Sequence, residues 1–167
     1  IGNKLLGEGE PIFIVAEVGV NHDGKIDVAK KLIDAAQEAG ADAVKIQAFK
    51  TEKLVTKTAE KAIYQKKSTR SENTQYDMLK KFELKDEEIA ELCRYALERD
   101  IVFFSSAFDK ESVDLLYELG VPAFKIASGE ITDFPLLRYI AEKKKPIILS
   151  TGMSTVGEVA EALEVIK

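Results

Sequence analysis

Short apolar runs of strand length alternate with stretches of helical period five times along this chain. Residues 12–16, Ile-Phe-Ile-Val-Ala, form the first run, and a continuous run of this kind suits a parallel strand covered on both faces. It opens into Glu17-Val18-Gly19-Val20-Asn21-His22-Asp23-Gly24, a polar loop with an Asp-Gly turn signal. Residues 27–39 then place Val28, Leu32, Ile33 and Ala36 on one helical face, with Gly40 as the stop. A second strand follows at 43–48. Strand, helix and strand joined this tightly make a right-handed βαβ unit. Residues 50–83 interrupt the rhythm. They are rich in Lys, Thr, Ser, Glu and Gln and read as a long functional loop with a helical piece near 74–81. The alternation resumes with a helix at 86–99, acidic in its first turn, and a strand at 101–104. A helix capped by Asp109 runs to about 119 and stops at Gly120. Pro122 precedes a strand at 123–127, and Thr132 or Asp133 caps a helix with Pro135 in its first turn. Pro146 leads into a fifth strand at 147–149, and Thr155 with Glu158 forms a capping box for a last helix.

Five β-then-α units demand a parallel sheet with helices packed on it. An open doubly wound sheet and a (β/α)8 barrel both qualify. Polar residues fall at every strand end: Glu17, Gln47, Ser106, Ser128 with Glu130, and Ser150 with Thr151. A barrel gathers one site from all its strand ends, whereas a doubly wound sheet concentrates its ligand at one switch point. No G-x-G-x-x-G follows the first strand. The expected fold is therefore an α/β TIM-type (β/α)8 barrel. A whole barrel takes about 200 residues at minimum, so 167 residues correspond to about five units of an incomplete one.

Composition narrows the partners. Hydrophobic residues make up 46% and charged residues 32%, the balance of a soluble globular protein. A net charge of -5 leaves no basic footprint for nucleic acid, so an anionic ligand has to be held by local cations. No apolar run approaches the roughly 18–20 residues of a membrane span. Cys93 is the only cysteine, which excludes an internal disulfide and fits a reducing, cytoplasmic setting. Its helical neighbours Leu92, Tyr95 and Ala96 make it a buried structural thiol and not a nucleophile. Lys143, Lys144 and Lys145 read as cations placed against a helix dipole. His22, the only histidine, reads as a surface loop residue that cannot by itself make a two-histidine metal site.

The candidate chemistry lies in two strands that carry a lysine. In residues 43–49, Ala-Val-Lys-Ile-Gln-Ala-Phe, alternation puts Ala43, Lys45 and Gln47 on one face. In residues 124–130, Phe-Lys-Ile-Ala-Ser-Gly-Glu, Lys125 shares parity with Ala127 and Gly129. An unpaired buried ammonium is costly, so each lysine must reach water or an anion. The bland reading is a structural lysine paired to a carboxylate such as Glu17. The functional one is a shared cradle for phosphate or carboxylate, with Ser106, Ser128 and Ser150 as hydroxyl donors and Gly129 and Gly152 giving backbone access. Glu17 and Glu130 are candidate acid-base or sugar-hydroxyl partners. A Schiff-base class I aldolase and a non-catalytic phosphate or sugar-phosphate binding module remain open on these residues alone.

The motifs at 16–24, 44–47, 104–108 (Phe-Ser-Ser-Ala-Phe), 124–130 and 148–153 (Ile-Leu-Ser-Thr-Gly-Met) occur in this order over nearly the whole chain. Together they resemble the sialic acid synthase family, the N-acetylneuraminate synthases and their legionaminic and pseudaminic acid relatives. The resemblance implies condensation of phosphoenolpyruvate with an N-acetylmannosamine-type sugar, releasing phosphate and giving a nine-carbon 2-keto acid. It implies that Lys45, Ser106, Lys125, Ser128 and Ser150 hold phosphoenolpyruvate, that Gln47 and Glu130 face the sugar, and that Glu17, Lys45 and Lys125 act at the reacting centre. It also implies a loop asparagine on phosphoenolpyruvate, and Asn73 is the only asparagine in residues 50–83. A divalent metal, usually manganese, would be held by two histidines on later strands outside this chain. A C-terminal antifreeze-like domain would likewise lie outside it. The expectation is an N-terminal barrel portion over 1–167 from a homodimeric, cytoplasmic carbohydrate-biosynthesis enzyme, inactive on its own.

Overall fold

The computed structural model describes residues 1–60 and 74–167. Its elements are β1 (Val15–Gly19), α1 (Ile26–Glu38), β2 (Ala43–Ala48), α2 (Thr51–Leu54), α3 (Gln75–Phe82), α4 (Asp86–Leu97), β3 (Val102–Ala107), α5 (Lys110–Glu118), β4 (Phe124–Ile126), a 3₁₀ turn at Ser128–Glu130, α6 (Phe134–Ala141), β5 (Ile147–Leu149) and α7 (Val156–Ile166). The strands pair in the order β1-β2-β3-β4-β5, every pair parallel. That order decides between the two architectures. A doubly wound sheet reverses direction at a switch point, whereas here each right-handed crossover steps the same way, which keeps the helices on one face. Val44, Ile46, Phe103, Phe124 and Ile126 of that face are buried in a core with Ile33, Leu92, Leu116, Leu137 and Ile140 of the helices. The fold is an α/β run of five barrel-type units, and its other face is the one a barrel turns inward.

Two strand boundaries differ from the sequence expectation, and both differences move site residues. β1 starts at Val15, because its pairing with β2 begins at Val15 opposite Ala43 and no strand lies beside the residues before it. Ile12 is 87% exposed, so the apolar run at 12–16 is not a strand buried on both faces. Glu17 consequently lies within β1 and not beyond its end. β3 extends to Ala107, which puts Ser106 inside the strand, opposite Gln47 on β2 and Lys125 on β4.

The predicted caps hold in detail. Asp109 accepts from the Ser112 N–H at 2.7 Å, and Thr155 and Glu158 make the reciprocal box. Of the two candidates before α6, Asp133 is the cap, accepting from the Leu136 N–H at 3.0 Å. The helical piece expected near 74–81 is α3, opened by a box between Thr74 and Asp77. Asn73 lies outside the described residues. Cys93 is part-buried within α4, and burial pushes its thiol up, as a structural thiol requires.

Two other expectations are corrected by packing between elements. Lys143 does not serve the end of its own helix. It bonds Asp114 of α5 at 2.5 Å and lies 4.4 Å from the Tyr139 ring centroid, while Lys145 donates to the Val121 carbonyl at 2.6 Å. These lysines strap α6 to α5. His22 is not a surface residue but 0% exposed. The β1–α1 loop folds onto the end of α3 so closely that a Cβ on Gly24, at φ +70°, would stand 2.0 Å from the Lys81 carbonyl oxygen. Within this closed loop His22 Nδ1 accepts from the Gly24 N–H at 3.0 Å, and Nε2 is buried without a partner. Burial lowers the ring's proton affinity, against the opposing pull of Asp23, Glu88 and the Gly19 carbonyl. Among the described residues no helix is long and apolar enough to cross a membrane.

The His22 geometry sets a pH dependence. A histidine whose folded-state pKa lies below its unfolded value of about 6.5 leaves the unfolded chain binding more protons as pH falls. Its stabilising share is complete above that pH and is lost as pH drops toward the folded pKa. Urea midpoints should fall between about pH 7 and pH 5, and His22→Gln should flatten that part of the profile; a slope unchanged by the substitution contradicts this. The topology sets a second expectation. β1 and β5 are the edge strands of the sheet, and unprotected edges template association. The 167-residue chain should self-associate with rising concentration in sedimentation velocity, and a monomer at every concentration would count against it.

Candidate active site

Side-chain alternation carries one residue or two from each of the five strands to a common cavity of about 210 Å³, lined by Val15, Glu17, Lys45, Phe104, Lys125 and Ile148. Register arranges the inward residues in two rows. Glu17, Lys45 and Phe104 lie side by side, and so do Gln47, Ser106, Lys125 and Ile148. The barrel-inward face is thus a polar floor bordered by branched and aromatic side chains.

On the β1–β2 side, Lys45 is 7% exposed and its ammonium is paired with the exposed carboxylate of Glu17. The bland reading of Lys45 is therefore partly realised. Because Glu17 reaches solvent, water screens the pair, and exchanging this carboxylate for another anion carries a small cost. A bulge between Glu17 and Gly19 bends β1 at this point. Gly19 has φ +54°, and a Cβ there would lie 2.7 Å from Glu17 Oε1 and 3.9 Å from Gln47 Nε2. Glycine keeps the space in which the Glu17 carboxylate and the Gln47 amide stand next to each other.

On the β4–β5 side, Lys125 Nζ donates to Ser150 Oγ and to the Ile126 carbonyl, each at 2.6 Å. An ammonium has three donors, so one is left for a ligand, and among the described residues Lys125 has no carboxylate partner. Burial, and next the neighbouring Lys45 ammonium, lowers its pKa, with Glu17 opposing. A bound anion would relieve both effects. Ser128, in the 3₁₀ turn after β4, has its Oγ 3.6 Å from where a Gly152 Cβ would sit, which sets it beside the turn that follows Ser150. Ser106 joins the two sides through its register with Gln47 and Lys125.

Of the residues expected from sequence, the structure gathers Glu17, Lys45, Gln47, Ser106, Lys125, Ser128 and Ser150. It sets Glu130 apart: among the described residues that carboxyl makes no hydrogen bond or ion pair with either lysine. Glu130 is half-buried, and burial, then Asp133, raises its pKa. The group around the two lysines consists of ammonium, hydroxyl and amide, with one carboxylate already paired, which suits an anion and not a metal cation. Phe104, Ile148 and Val15 also line the cavity and were not singled out from sequence. For Phe104 and Ile148 the signal was available, two positions before Ser106 on β3 and before Ser150 just past β5. Val15 was hidden by the displaced start of β1.

Comparison with known proteins bears on the fold and the family. Over 166 residues the chain is 49% identical to N,N'-diacetyllegionaminic acid synthase of Legionella pneumophila, covering 99% of this chain and 47% of that one. It is 36% identical over 164 residues to N-acetylneuraminate-9-phosphate synthase of Homo sapiens, covering 98% and 45% respectively. The solved N-acetylneuraminic acid synthetase of Leptospira borgpetersenii, in complex with citrate, superposes with a TM-score of 0.85 at 31% identity, over 99% of this chain and 53% of that structure. This chain spans about half the length of the curated relatives it matches. Residues 32–167, from the middle of α1 through all the strand ends but the first, match the NeuB family as a unit, and the chain belongs to that family.

Proposed function

We propose that this chain is the N-terminal part of a synthase barrel and supplies the phosphoenolpyruvate side of its site, for condensation with an N-acetylmannosamine-type sugar. The observation that carries this reading is the Lys125 ammonium, short of one acceptor, held by Ser150 and facing Lys45 across a small cavity. Phosphoenolpyruvate offers a carboxylate and a phosphate, two anions for two lysines. The names of the relatives, synthases of sugar acids of the sialic type, support the same substrate class.

In this reading carbon 3 of phosphoenolpyruvate attacks the aldehyde carbon of the open-chain sugar and forms the new C–C bond. Water adds at carbon 2, and the C–O bond to phosphate breaks with its electrons leaving on phosphate, which yields the 2-keto acid. Lys45 and Lys125 hold the existing charge and stabilise the charge that develops, as preorganised cations in a poorly hydrated site. Ser106, Ser128 and Ser150 donate to the phosphate or the carboxylate. Glu17, beside Lys45, exchanges the proton of the attacking water or of the sugar oxygen. Gln47 and Glu130 face the sugar, where the amide donates to and accepts from hydroxyls and the carboxylate accepts from them. A divalent metal, manganese by the resemblance, belongs to the whole-protein proposal, as do the homodimer and the cytoplasmic setting; its ligands lie outside this chain. The lowered pKa of Lys125 is the one observation that favours a second reading, an imine-forming aldolase. Borohydride trapping with the keto acid separates the two, since the first reading yields no adduct on Lys45 or Lys125.

In the full-length protein, Lys125→Met should weaken phosphoenolpyruvate binding about 10- to 100-fold, the range of one charge-assisted hydrogen bond, with a smaller change in the KM of the sugar. Equal binding by calorimetry would remove Lys125 from the phosphoenolpyruvate site. Residues 1–167 alone should release no phosphate from phosphoenolpyruvate with manganese and N-acetylmannosamine, and substantial turnover would overturn the assignment of this chain as a partial site.

A further inference from the structure

The tip of β2 is held on one side only. Pairing with β1 ends at Ile46, so the strand backbone at Gln47 and Ala48 depends on β3. Beyond the strands two further bonds continue that attachment. The Phe108 N–H donates to the Ala48 carbonyl at 3.3 Å, and the Lys50 N–H donates to Asp109 Oδ2 at 2.7 Å. The second is a side chain doing the work of a strand carbonyl. Asp109 is 7% exposed and fully engaged: Oδ1 accepts from the Ser112 N–H at 2.7 Å, and Oδ2 also accepts from the Ser112 hydroxyl at 3.0 Å. A helix cap needs one oxygen; this carboxylate uses its second to reach a different loop. Phe49 and Phe108 pack edge to face, 6.2 Å between centroids, across the same junction. Glu83 accepts from the next amide, Thr51 N–H, at 3.0 Å, so two successive amides at the start of α2 are held by carboxylates from other elements.

We propose that Asp109 is a positioning residue whose carboxylate sets the end of β2, and with it the place of Gln47 against the acceptor sugar. This rests on the functional reading above, in which Gln47 faces the sugar. Lys45 and Ser106 are each fixed by strands on both sides, and Lys125, Ser128 and Ser150 stand on β4 and β5 or the turns after them. The effect is therefore selective for the sugar and spares phosphoenolpyruvate. Asp109→Ser separates the two roles of the side chain, since serine caps a helix well but is too short to hold Lys50 as well.

The test uses the full-length protein with phosphoenolpyruvate and an N-acetylmannosamine-type sugar. In Asp109→Ser the KM of the sugar should rise about tenfold, with the KM of phosphoenolpyruvate within about twofold of wild type. The melting temperature should stay near wild type, and the Lys50 amide should exchange faster. In a Gln47→Ala background the same substitution should have no further effect on the sugar KM, because the coupled pair acts as one. If Asp109→Ser is unstable, Asp109→Asn, which keeps one oxygen for the Ser112 N–H, is read by the same criteria. An unchanged sugar KM, an equal rise in both KM values, or an additive effect in the Gln47→Ala background overturns the assignment. A wild-type protein that makes no 2-keto acid overturns the functional reading itself, which distinguishes that failure from this one.

Discussion

A lysine ammonium on the inward face of a parallel sheet has to be matched, and that requirement organises this structure. Leaving such a charge buried and unpaired costs several kcal/mol or more, and this sheet carries two, on β2 and β4. Lys45 is matched from within by Glu17 on the neighbouring strand. Among the described residues Lys125 is matched by a hydroxyl and a carbonyl. The difference between the two is what the proposed function rests on: one cation has a solvent-exposed carboxylate partner, and the other, among the described residues, has none.

Backbone geometry serves the same requirement. Sequential strand order, with every crossover in one direction, keeps the helices off the inner face that carries the lysines. Gly19 adopts a left-handed conformation beside the Glu17 carboxylate where any side chain would collide with it. Around this floor the loops are tied by carboxylates that each serve more than one element. Asp109 holds α5 and the β2 tip, and Glu83 holds Thr51 and Lys80. Rigid strand ends with cross-tied loops are what a preorganised electrostatic site needs.

The helices are tied to one another by paired charges laid on aromatic faces. Tyr95 bonds Asp34, with the Arg99 guanidinium stacked 3.4 Å from its ring centroid, and Tyr139 bonds Asp114 under Lys143. These networks lie outside the sheet, away from the lysine floor. They engage Asp34, Arg99, Asp114 and Lys143, and so place the first lysine of the Lys143-Lys144-Lys145 run against a neighbouring helix.

Local rules made much of this readable in advance. Alternation along a strand has period two whatever surrounds it, so the shared parity of Lys45 with Gln47, and of Lys125 with Ala127, could be read from the chain. The caps at Asp109 and Thr155 involve residues three apart and were equally legible, the cap before α6 was narrowed to Thr132 or Asp133, and the βα rhythm that implies a barrel was legible too. Three features depended on partners distant in sequence. The start of β1 was set by where β2 begins to pair, which moved Glu17 into the strand and onto Lys45. The burial of His22 came from the approach of its loop to the end of α3. The second role of Asp109 came from a bond to Lys50, 59 residues away. Chain-local periodicity determined which residues face the site, and only the tertiary contacts decided which of them hold one another and which is left for a ligand.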